Sequence, residues 1–243
     1  VCFGVTRQTR HLFNQPFGYE VDDIVCVEFP SDENRFHDEL KSLTYVDKIG
    51  AYGSLPTQWT MTGLRNNATG KYDYIGFIDG NRDFFDILGI RIIDDNTSVS
   101  AETEEGKWYV CESAYEGLSQ YMTDGMLNFF NAKPLGGIVE DIKIGNVKEE
   151  AYSKTPFVNV IDIPEMIRYG SLIMKVNIDE DKAKNMIYDF YRSKGYDDNM
   201  FIVYTLREEV ERELKEEKNM LKLLTGFSLI CILMTIMTIV GLS

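Results

Sequence analysis

The sequence contains few of the residues that carry out catalysis or bind metal ions. Among 243 residues there are two histidines and four cysteines, and the GxSxG, Walker A and HExxH motifs are absent. The cysteines form no CxxC or Cys/His cluster, which argues against a zinc site. Adjacent carboxylates, such as Asp94/Asp95 and Glu140/Asp141, do not converge on one substrate atom, since neighbours on a strand point to opposite faces. We therefore predict no catalytic residue, no cofactor and no metal.

Basic residues are also scarce relative to acidic ones. The chain has 25 Lys and Arg against 39 Asp and Glu, which gives a net charge of −14. This balance would repel a nucleic-acid backbone, and no cluster of basic residues resembles a lipid-binding patch. Hydrophobic residues make up 44% and charged residues 26%, which is typical of a folded globular protein. The composition thus predicts an acidic folded domain that does not bind nucleic acid.

The cysteines and histidines lie at positions that do not suggest reactivity. Cys26 and Cys111 fall in strand-like runs, where we expect small buried thiols. Cys2 lies near the start of the sequence, and its pairing with Cys26 is an open alternative. His11 falls in a polar stalk, and His37 falls on the side of a predicted helix that we expect to be exposed. Neither is placed for general-base catalysis.

One long apolar segment closes the sequence. Residues 223–243 contain no charged side chain, and fourteen of them are apolar. As a helix this segment would be about 31 Å long, close to the ~30 Å hydrocarbon core of a bilayer. We predict a transmembrane helix here, in contact with membrane lipid. The apolar run of residues 1–5, followed by Arg7 and Arg10, predicts the end of an earlier membrane helix, with a stalk that reaches Gly18.

A charged helix is predicted directly before the apolar segment. Residues 206–222 contain five basic and six acidic side chains and neither Gly nor Pro, so the helix can continue unbroken into the membrane. Its apolar stripe consists of Leu206, Val210, Leu214, Leu221 and Leu224. Two interpretations are open: an ordinary solvated stalk, or a rigid lever that transmits motion across the membrane surface.

Strands and helices alternate along the acidic part of the chain and indicate an α+β fold. A β–α–β order recurs in residues 19–51 and 171–204. Within the second unit, residues 179–194 form a clear amphipathic helix that is ended by Gly195.

Two local predictions concern the segments between strands. Residues 52–71 are rich in Gly, Thr, Asn and Pro, and we predict a long loop there. Ser113 is predicted to cap a helix that runs to Tyr121.

Five short segments, in the same order along the chain, resemble segments of MacB/FtsX-type ABC transporter permeases. They are residues 15–27 (QPFGYEVDDIVCV), 84–90 (FFDILGI), 109–114 (YVCESA), 135–141 (LGGIVED) and 206–243, the charged helix that leads into the apolar segment. The segments are spread over nearly the whole chain, and their order makes the set more specific than any one segment.

The resemblance implies a four-helix permease subunit with one large extracytoplasmic domain between its first two membrane helices. That domain is expected to combine porter-like βαβ units with an inserted β-rich lobe, joined by a helical stalk to a transmembrane helix. The implied division is residues 1–18 for the end of the first membrane helix and its stalk, 19–80 and 155–205 for the discontinuous porter-like subdomain, 81–154 for the inserted β-rich subdomain, 206–222 for the stalk helix and 223–243 for the second membrane helix.

In that family, ATP hydrolysis by a cytoplasmic nucleotide-binding domain drives movement of the extracytoplasmic domain. The resemblance implies an ABC ATPase as partner, a second permease copy or a paralogue, and location in the bacterial inner membrane with the main domain in the periplasm. The expected work is export or extraction of a lipoprotein, a peptide or a drug-like compound. Mechanical coupling would pass through Leu206, Val210, Leu214 and Leu221, and the chain itself would not be an enzyme. A helix break such as Leu214→Pro is then expected to separate ATPase activity from transport.

Two other classes of function are weighed on the residues alone. A ligand-sensing extracytoplasmic domain of a receptor, such as a sensor kinase, shares the plan of helix, α/β domain, charged helix and helix. A membrane-anchored enzyme is disfavoured by the lack of a catalytic constellation. The loop aromatics Trp59, Phe129 and Phe130, together with Tyr52, are candidates for contact with a partner or substrate, and buried packing is the alternative for each.

Overall fold

The computed structural model describes residues 17–29, 36–143, 157–169 and 171–213, together with some helical positions between 215 and 238. The strands are β1 (Ile24–Glu28), β2 (Val46–Ser54), β3 (Thr60–Arg65), β4 (Tyr72–Gly80), β5 (Ile92–Asp95), β6 (Lys107–Cys111), β7 (Met122–Thr123), β8 (Met126–Leu127), β9 (Lys133–Val139), β10 (Phe157–Val160), β11 (Ser171–Val176) and β12 (Ile202–Thr205). The helices are α1 (His37–Lys41), α2 (Arg82–Ile87), α3 (Glu112–Tyr115), α4 (Pro164–Tyr169), α5 (Glu180–Ser193) and α6 (Leu206–Glu213), and a 3₁₀ turn (Glu116–Tyr121) follows α3.

The strands form a single sheet whose main path is β12–β1–β11–β2–β4–β10–β6–β9–β8–β7, with β3 paired to β4 and β5 paired to β9. The two predicted β–α–β units are present as β1–α1–β2 and β11–α5–β12. Their strands alternate in the sheet, because β11 lies between β1 and β2 and pairs antiparallel with both. The same interleaving places the first and last strands, β1 and β12, side by side.

Helices α1 and α5 cover one face of these interleaved strands. Leu40 of α1, with Ala183 and Ile187 of α5, is buried in one apolar cluster with Val25 and Leu172 of the sheet. Helix α5 confirms the predicted amphipathic helix, since its polar side faces solvent.

Helix α2 covers the opposite face. Asn81 caps it by accepting a hydrogen bond from the Phe84 N–H at 3.0 Å, and the same oxygen accepts from the Ala51 N–H at 3.0 Å. Phe84 then packs so closely on Gly80 that a Cβ there would lie 2.3 Å from the ring. A glycine at the end of β4 is therefore needed to seat α2 against the sheet.

Strands from the two predicted subdomains occupy different ends of the sheet path. β10 pairs parallel with β4 and antiparallel with β6, and the strands of residues 81–154 all lie beyond the β10–β6 pairing. Residues Phe17–Glu209 together form one compact unit, because the sheet continues across that pairing. The subdomain boundaries after residues 80 and 154 stay predictions.

The predicted long loop at residues 52–71 is wrong. β2 continues to Ser54, and β3 pairs with β4 along its whole length. Leu64 of β3 is fully buried in a cluster with Ile75 of β4. The strand forms because the β4 surface offers this burial, which outweighs the turn-like composition of the segment.

The helix predicted to start with a Ser113 cap is also different. It begins at Glu112 and changes to a 3₁₀ turn at Glu116. Ser113 does not cap it: its own N–H donates to Asp141 Oδ1 at 2.9 Å, so a carboxylate beyond the end of β9 satisfies the first turn. Helix α4 was not predicted.

A second compact unit comprises residues 1–16 and 210–243, and it is helical at its described positions. Within the described part of the chain, no helix combines the length and apolar character that crossing a membrane requires. Much of residues 1–18 and 223–243 lies outside that part, so both membrane helices stay predictions.

Candidate functional site

The start of α6 is fixed to β12 by two reciprocal hydrogen bonds. Thr205 Oγ1 accepts from the Glu208 N–H at 3.0 Å, and Glu208 Oε2 accepts from the Thr205 N–H at 3.0 Å. A Thr followed three residues later by a Glu forms a capping box, which satisfies two backbone donors at once. The last strand of the sheet therefore passes into the helix without a flexible link.

The Glu208 carboxylate also joins α6 to α5. Lys184 Nζ donates to Glu208 Oε1 at 2.7 Å and to Oε2 at 2.8 Å. Partial burial alone would raise the pKa of Glu208, but hydrogen bonds from Lys184 and from the Thr205 N–H outweigh burial and lower the pKa. Glu208 is therefore ionised at neutral pH while it holds both elements.

The entry segment, residues 17–23, contacts the same turn of α6. Arg207 Nη2 donates to Asp22 Oδ1 at 2.6 Å, and Arg207 Nε lies 3.7 Å from Glu180 Oε1. Glu180 Oε1 also accepts from the Asp23 N–H at 2.7 Å. Arg207 thus connects α6, the entry segment and the first turn of α5.

Lys175 of β11 binds the entry segment to the sheet. Its Nζ donates to Glu20 Oε2 at 2.8 Å and to the Asp22 carbonyl at 2.9 Å. Asp23 has φ of +58°, a left-handed conformation that non-glycine residues seldom adopt, and its carbonyl accepts from the Val176 N–H at 2.9 Å. These contacts fix the sharp turn by which the chain enters β1.

A buried layer lies beneath these surface contacts. Leu206 is fully buried in the core cluster that contains Ile24. Glu209 is 1% exposed, and its Oε1 accepts from Gln58 Nε2 at 2.8 Å. Gln58 itself is exposed, so this hydrogen bond lies at the margin of the buried layer, and Leu206 provides its apolar part.

We call residues 20–23, 180–184 and 205–209 the junction. Ion pairs within it join Lys184 to Glu208 and Arg207 to Asp22 and Glu180, so three segments that are distant in the sequence are held together. Because β1 and β12 are neighbours in the sheet, the entry segment before β1 and helix α6 after β12 both lie at the junction.

Two of the four predicted lever residues fall in the described part of the chain. Leu206 and Val210 lie one turn apart on α6, and both are buried. Leu214 and Leu221 lie outside the described residues. The lever role of this stripe stays a prediction.

The predicted contact aromatics divide into buried and exposed positions. Tyr52 is buried, whereas Phe129 is partly buried against the core, with its ring centroid 4.6 Å from that of Trp108. Trp59 is partly buried against the core. Phe130 is 90% exposed. Packing accounts for Tyr52, and contact of Phe129, Trp59 or Phe130 with a partner stays a prediction.

The two predicted buried thiols are confirmed. Cys26 and Cys111 are buried and free, and Cys2 lies outside the described residues. Burial raises the pKa of Cys111 to about 12 and also raises the pKa of Cys26. Both thiols are therefore protonated and unreactive at neutral pH.

The prediction that the His37 side chain is exposed is wrong. Its side chain is 13% exposed, and its Nδ1 lies 3.0 Å from Asp38 Oδ1. His11 lies outside the described residues. Among the residues that the structure describes, no three or more His, Cys, Asp or Glu side chains are grouped so that they could hold a metal ion.

Sequence reasoning missed the junction residues. The capping box had a readable signal, since Thr205-x-x-Glu208 precedes a helix with an apolar stripe. The Arg207–Asp22 contact had none, because 185 positions separate the two residues. Only the pairing of β1 with β12 brings them together.

No protein-family model matches the chain, and no curated protein matches it either. Solved structures of similar fold do exist. The periplasmic region of MacB from Actinobacillus actinomycetemcomitans aligns with a TM-score of 0.53 at 11% identity, over 84% of this chain and 98% of that one. The extracellular domain of the noncanonic ABC-type transporter YknZ from Gram-positive bacteria gives 0.47 at 12%, over 75% and 100%. A domain attributed to a permease protein from Porphyromonas gingivalis gives 0.48 at 12%, over 78% and 92%.

The fold comparison rests on MacB, whose periplasmic region is aligned almost completely. It agrees with the resemblance found in the sequence and with the α+β class predicted there. The chain has the fold of a MacB-type periplasmic domain.

Proposed function

We propose that this chain is the extracytoplasmic core of an ABC transporter permease and that it passes movement between this domain and the membrane. The fold it shares with MacB supports the transporter role. The observation that carries the coupling role is the Arg207–Asp22 contact, which joins the exit helix to the entry segment. A displacement of α6 would then move the start of β1 with it.

The energy would come from ATP hydrolysis by a separate or fused nucleotide-binding domain, with a second permease copy or paralogue completing the transporter. The domain would work on the outer side of the bacterial inner membrane, in export or extraction of a lipoprotein, peptide or drug-like substrate. The chain would convert no substrate itself, because the junction side chains are engaged in holding elements together.

The Arg207–Asp22 contact can be removed without unfolding the domain. The Arg207–Asp22 pair is half exposed on both sides, and such a pair contributes roughly 0–1 kcal/mol to stability. Removing it leaves Leu206 and Glu209 buried. A charge change at Arg207 should therefore disturb coupling while the domain stays folded.

The test uses the full-length parent protein, expressed in membranes with an affinity tag and purified with whatever accompanies it. We expect a P-loop ATPase in stoichiometric amount, and ATP should change the hydrogen exchange of β1 and α6 in the complex. Absence of an ATPase, combined with kinase activity or with stabilisation by a small ligand, would favour a receptor instead.

The same preparation tests the junction by a charge swap. Arg207→Asp alone and Asp22→Arg alone should each weaken the ATP-dependent change in exchange while ATP hydrolysis continues, and the double variant should restore it. Arg192→Asp is the matched control, because Arg192 forms a similarly exposed ion pair with Asp198 near the other end of α5. If the single variants respond to ATP like the unmodified protein, the junction does not couple.

A further inference from the structure

The outer edge of β3 is occupied near the tip of the β3–β4 hairpin. There, the Arg65 N–H donates to the Asn128 carbonyl at 2.9 Å and the Asn67 N–H donates to the Gln120 carbonyl at 2.7 Å. These bonds point away from β4, whereas the Asn66 N–H donates inward within the hairpin. The odd-numbered residues of this strand therefore direct their backbone groups outward.

By the same alternation, the odd-numbered residues earlier in β3 form an open edge in the described part of the chain. The N–H and C=O groups of Met61 and Gly63 point outward, because β4 pairs only with the inward-facing positions between them. Neither residue has a backbone hydrogen bond on that side among the described residues. Two donors and two acceptors are thus available in the spacing of a β-ladder.

The edge of β12, at one end of the sheet path, differs because its outward N–H groups are bonded to side chains. The Val203 N–H donates to Tyr188 Oη at 3.4 Å, and the Thr205 N–H is used by the capping box. Proteins close edges in this way or protect them with charge, proline or bulges. Residues 60–64 of β3 have none of these protections, since they carry no charge and no proline and pair with β4 in unbroken register.

An apolar surface adjoins the open edge. Met61 is 52% exposed and Tyr74 64% exposed, and both lie on the outer face of the hairpin, where Tyr74 is the cross-strand partner of Gly63. Phe130 follows Asn128 by two residues and is almost fully exposed. Side chains of an added strand could pack on these groups at every second position.

Two cations and one carboxylate, Asp73, lie at the tip end of β3, although the chain as a whole is acidic, and Asp73 accepts hydrogen bonds from Asn66 and Tyr121. Arg65 and Lys71 are exposed, and neither has an ion pair within the described part of the chain. A carboxylate on a bound segment would be favoured here, near the place where Asn128 ends the open edge.

We propose that the β3 edge binds an extended segment of a partner polypeptide, which adds a strand next to Met61 and Gly63. The segment would carry apolar side chains at alternate positions and a carboxylate near Arg65. Its backbone would supply affinity and its side chains specificity, as in other strand-addition complexes. This inference goes beyond the proposed coupling and does not depend on it.

A second copy of the chain fits this edge less well. Antiparallel self-pairing centred on Thr62 would bring Trp59 of the second copy opposite Arg65. The Asn128 carbonyl already holds the Arg65 N–H on that side. A short segment can end before this point, whereas the second copy must continue through it.

The test measures binding of a fluorescent, end-blocked hexapeptide, Glu-Val-Thr-Val-Thr-Val, to the full chain in detergent. We expect saturable binding that weakens about tenfold in Met61→Pro, which removes one outward N–H and no bond to β4. Met61→Thr keeps that N–H and should bind within about threefold of the unmodified chain. A peptide with N-methylated central residues tests the same bonds from the ligand side, whatever the stability of the proline variant.

Three results would overturn the proposal. They are no saturation below about 1 mM peptide, equal binding of the N-methylated and unmodified peptides, or equal binding by Met61→Pro and the unmodified chain. A dimer in light scattering that Met61→Pro abolishes would assign the edge to a second copy instead. None of these results bears on whether an ATPase co-purifies, so the two proposals fail separately.

Discussion

Glu208 serves two purposes with one carboxylate, since it caps α6 and binds Lys184. We expect Glu208→Ala to lower the free energy of unfolding by about 1–2 kcal/mol at pH 7, because the cap and the ion pair are both lost. Urea denaturation of the full chain measures this change. Glu211→Ala, at an exposed position of the same helix, is the control and should have little effect.

The effect of Glu208→Ala should depend on pH in a defined direction. The folded state lowers the pKa of Glu208, so its contribution is fully present above the unfolded-state pKa and is lost as the pH falls through the folded-state pKa. The difference between the variant and the unmodified chain should therefore shrink below about pH 4. A difference that stays constant down to pH 2.5 would show that the charge of Glu208 is irrelevant.

Single residues also mark the limit of what the sequence can predict. Phe129 and Phe130 look equivalent in the sequence, yet one is packed against Trp108 and the other is exposed. Both lie in a bend that follows β8, where no regular alternation of side chains holds. Which one is exposed depends on the cluster around Trp108, which forms only when distant segments meet.

At the scale of elements, α6 tests whether the exit helix acts as a stiff connection. In the helix that the sequence predicts for residues 206–222, Leu214→Pro should cost ~3 kcal/mol or more. We expect ATP hydrolysis to continue, the ATP-dependent change in exchange of β1 to disappear, and the circular dichroism of the domain to be kept. Leu214→Ala is the matched control and should leave the response to ATP intact. An intact response in the proline variant would exclude the lever.

The elements that the sequence predicted well are those whose pattern is local. Helix α5 has its apolar positions at helical spacing and a capping Asp179 that accepts from the Lys182 N–H at 3.0 Å. β3 has a glycine inside it and turn residues around it, so its pattern is ambiguous. Its identity as a strand comes from pairing with β4, and pairing between strands cannot be derived from the composition of one of them.

For the whole molecule, the interleaved strand order predicts which fragments fold. A chain limited to Phe17–Glu209 retains every strand and the buried Leu206, so it should melt cooperatively. A chain that ends at residue 154 lacks β11, which separates β1 from β2, and should not fold. Circular dichroism and thermal unfolding of both fragments check this. A cooperative transition in the shorter fragment would indicate that residues 19–80 fold without their partner strands.

The α+β class and the recurring β–α–β order were predictable because each rests on patterns within about 30 residues. The strand order was not, since it depends on pairings such as Cys26 with Ile173 and Cys26 with Tyr204. Hydrophobic alternation indicates that a strand has a buried face, but it does not identify the neighbour that the strand will meet.

The position of β11 between β1 and β2 also delays the pairing of β1 during biosynthesis. About 140 residues separate the end of β1 from the start of β11, so at roughly 5–20 residues per second the first strand waits for roughly 7–30 s before its neighbour has been synthesised. During that interval the apolar strand Ile24–Glu28 has neither of its edges paired. A nascent chain in this state is a substrate for chaperones and is prone to aggregation. Slowing translation should therefore lower the yield of this protein more than that of a domain whose first strands pair locally.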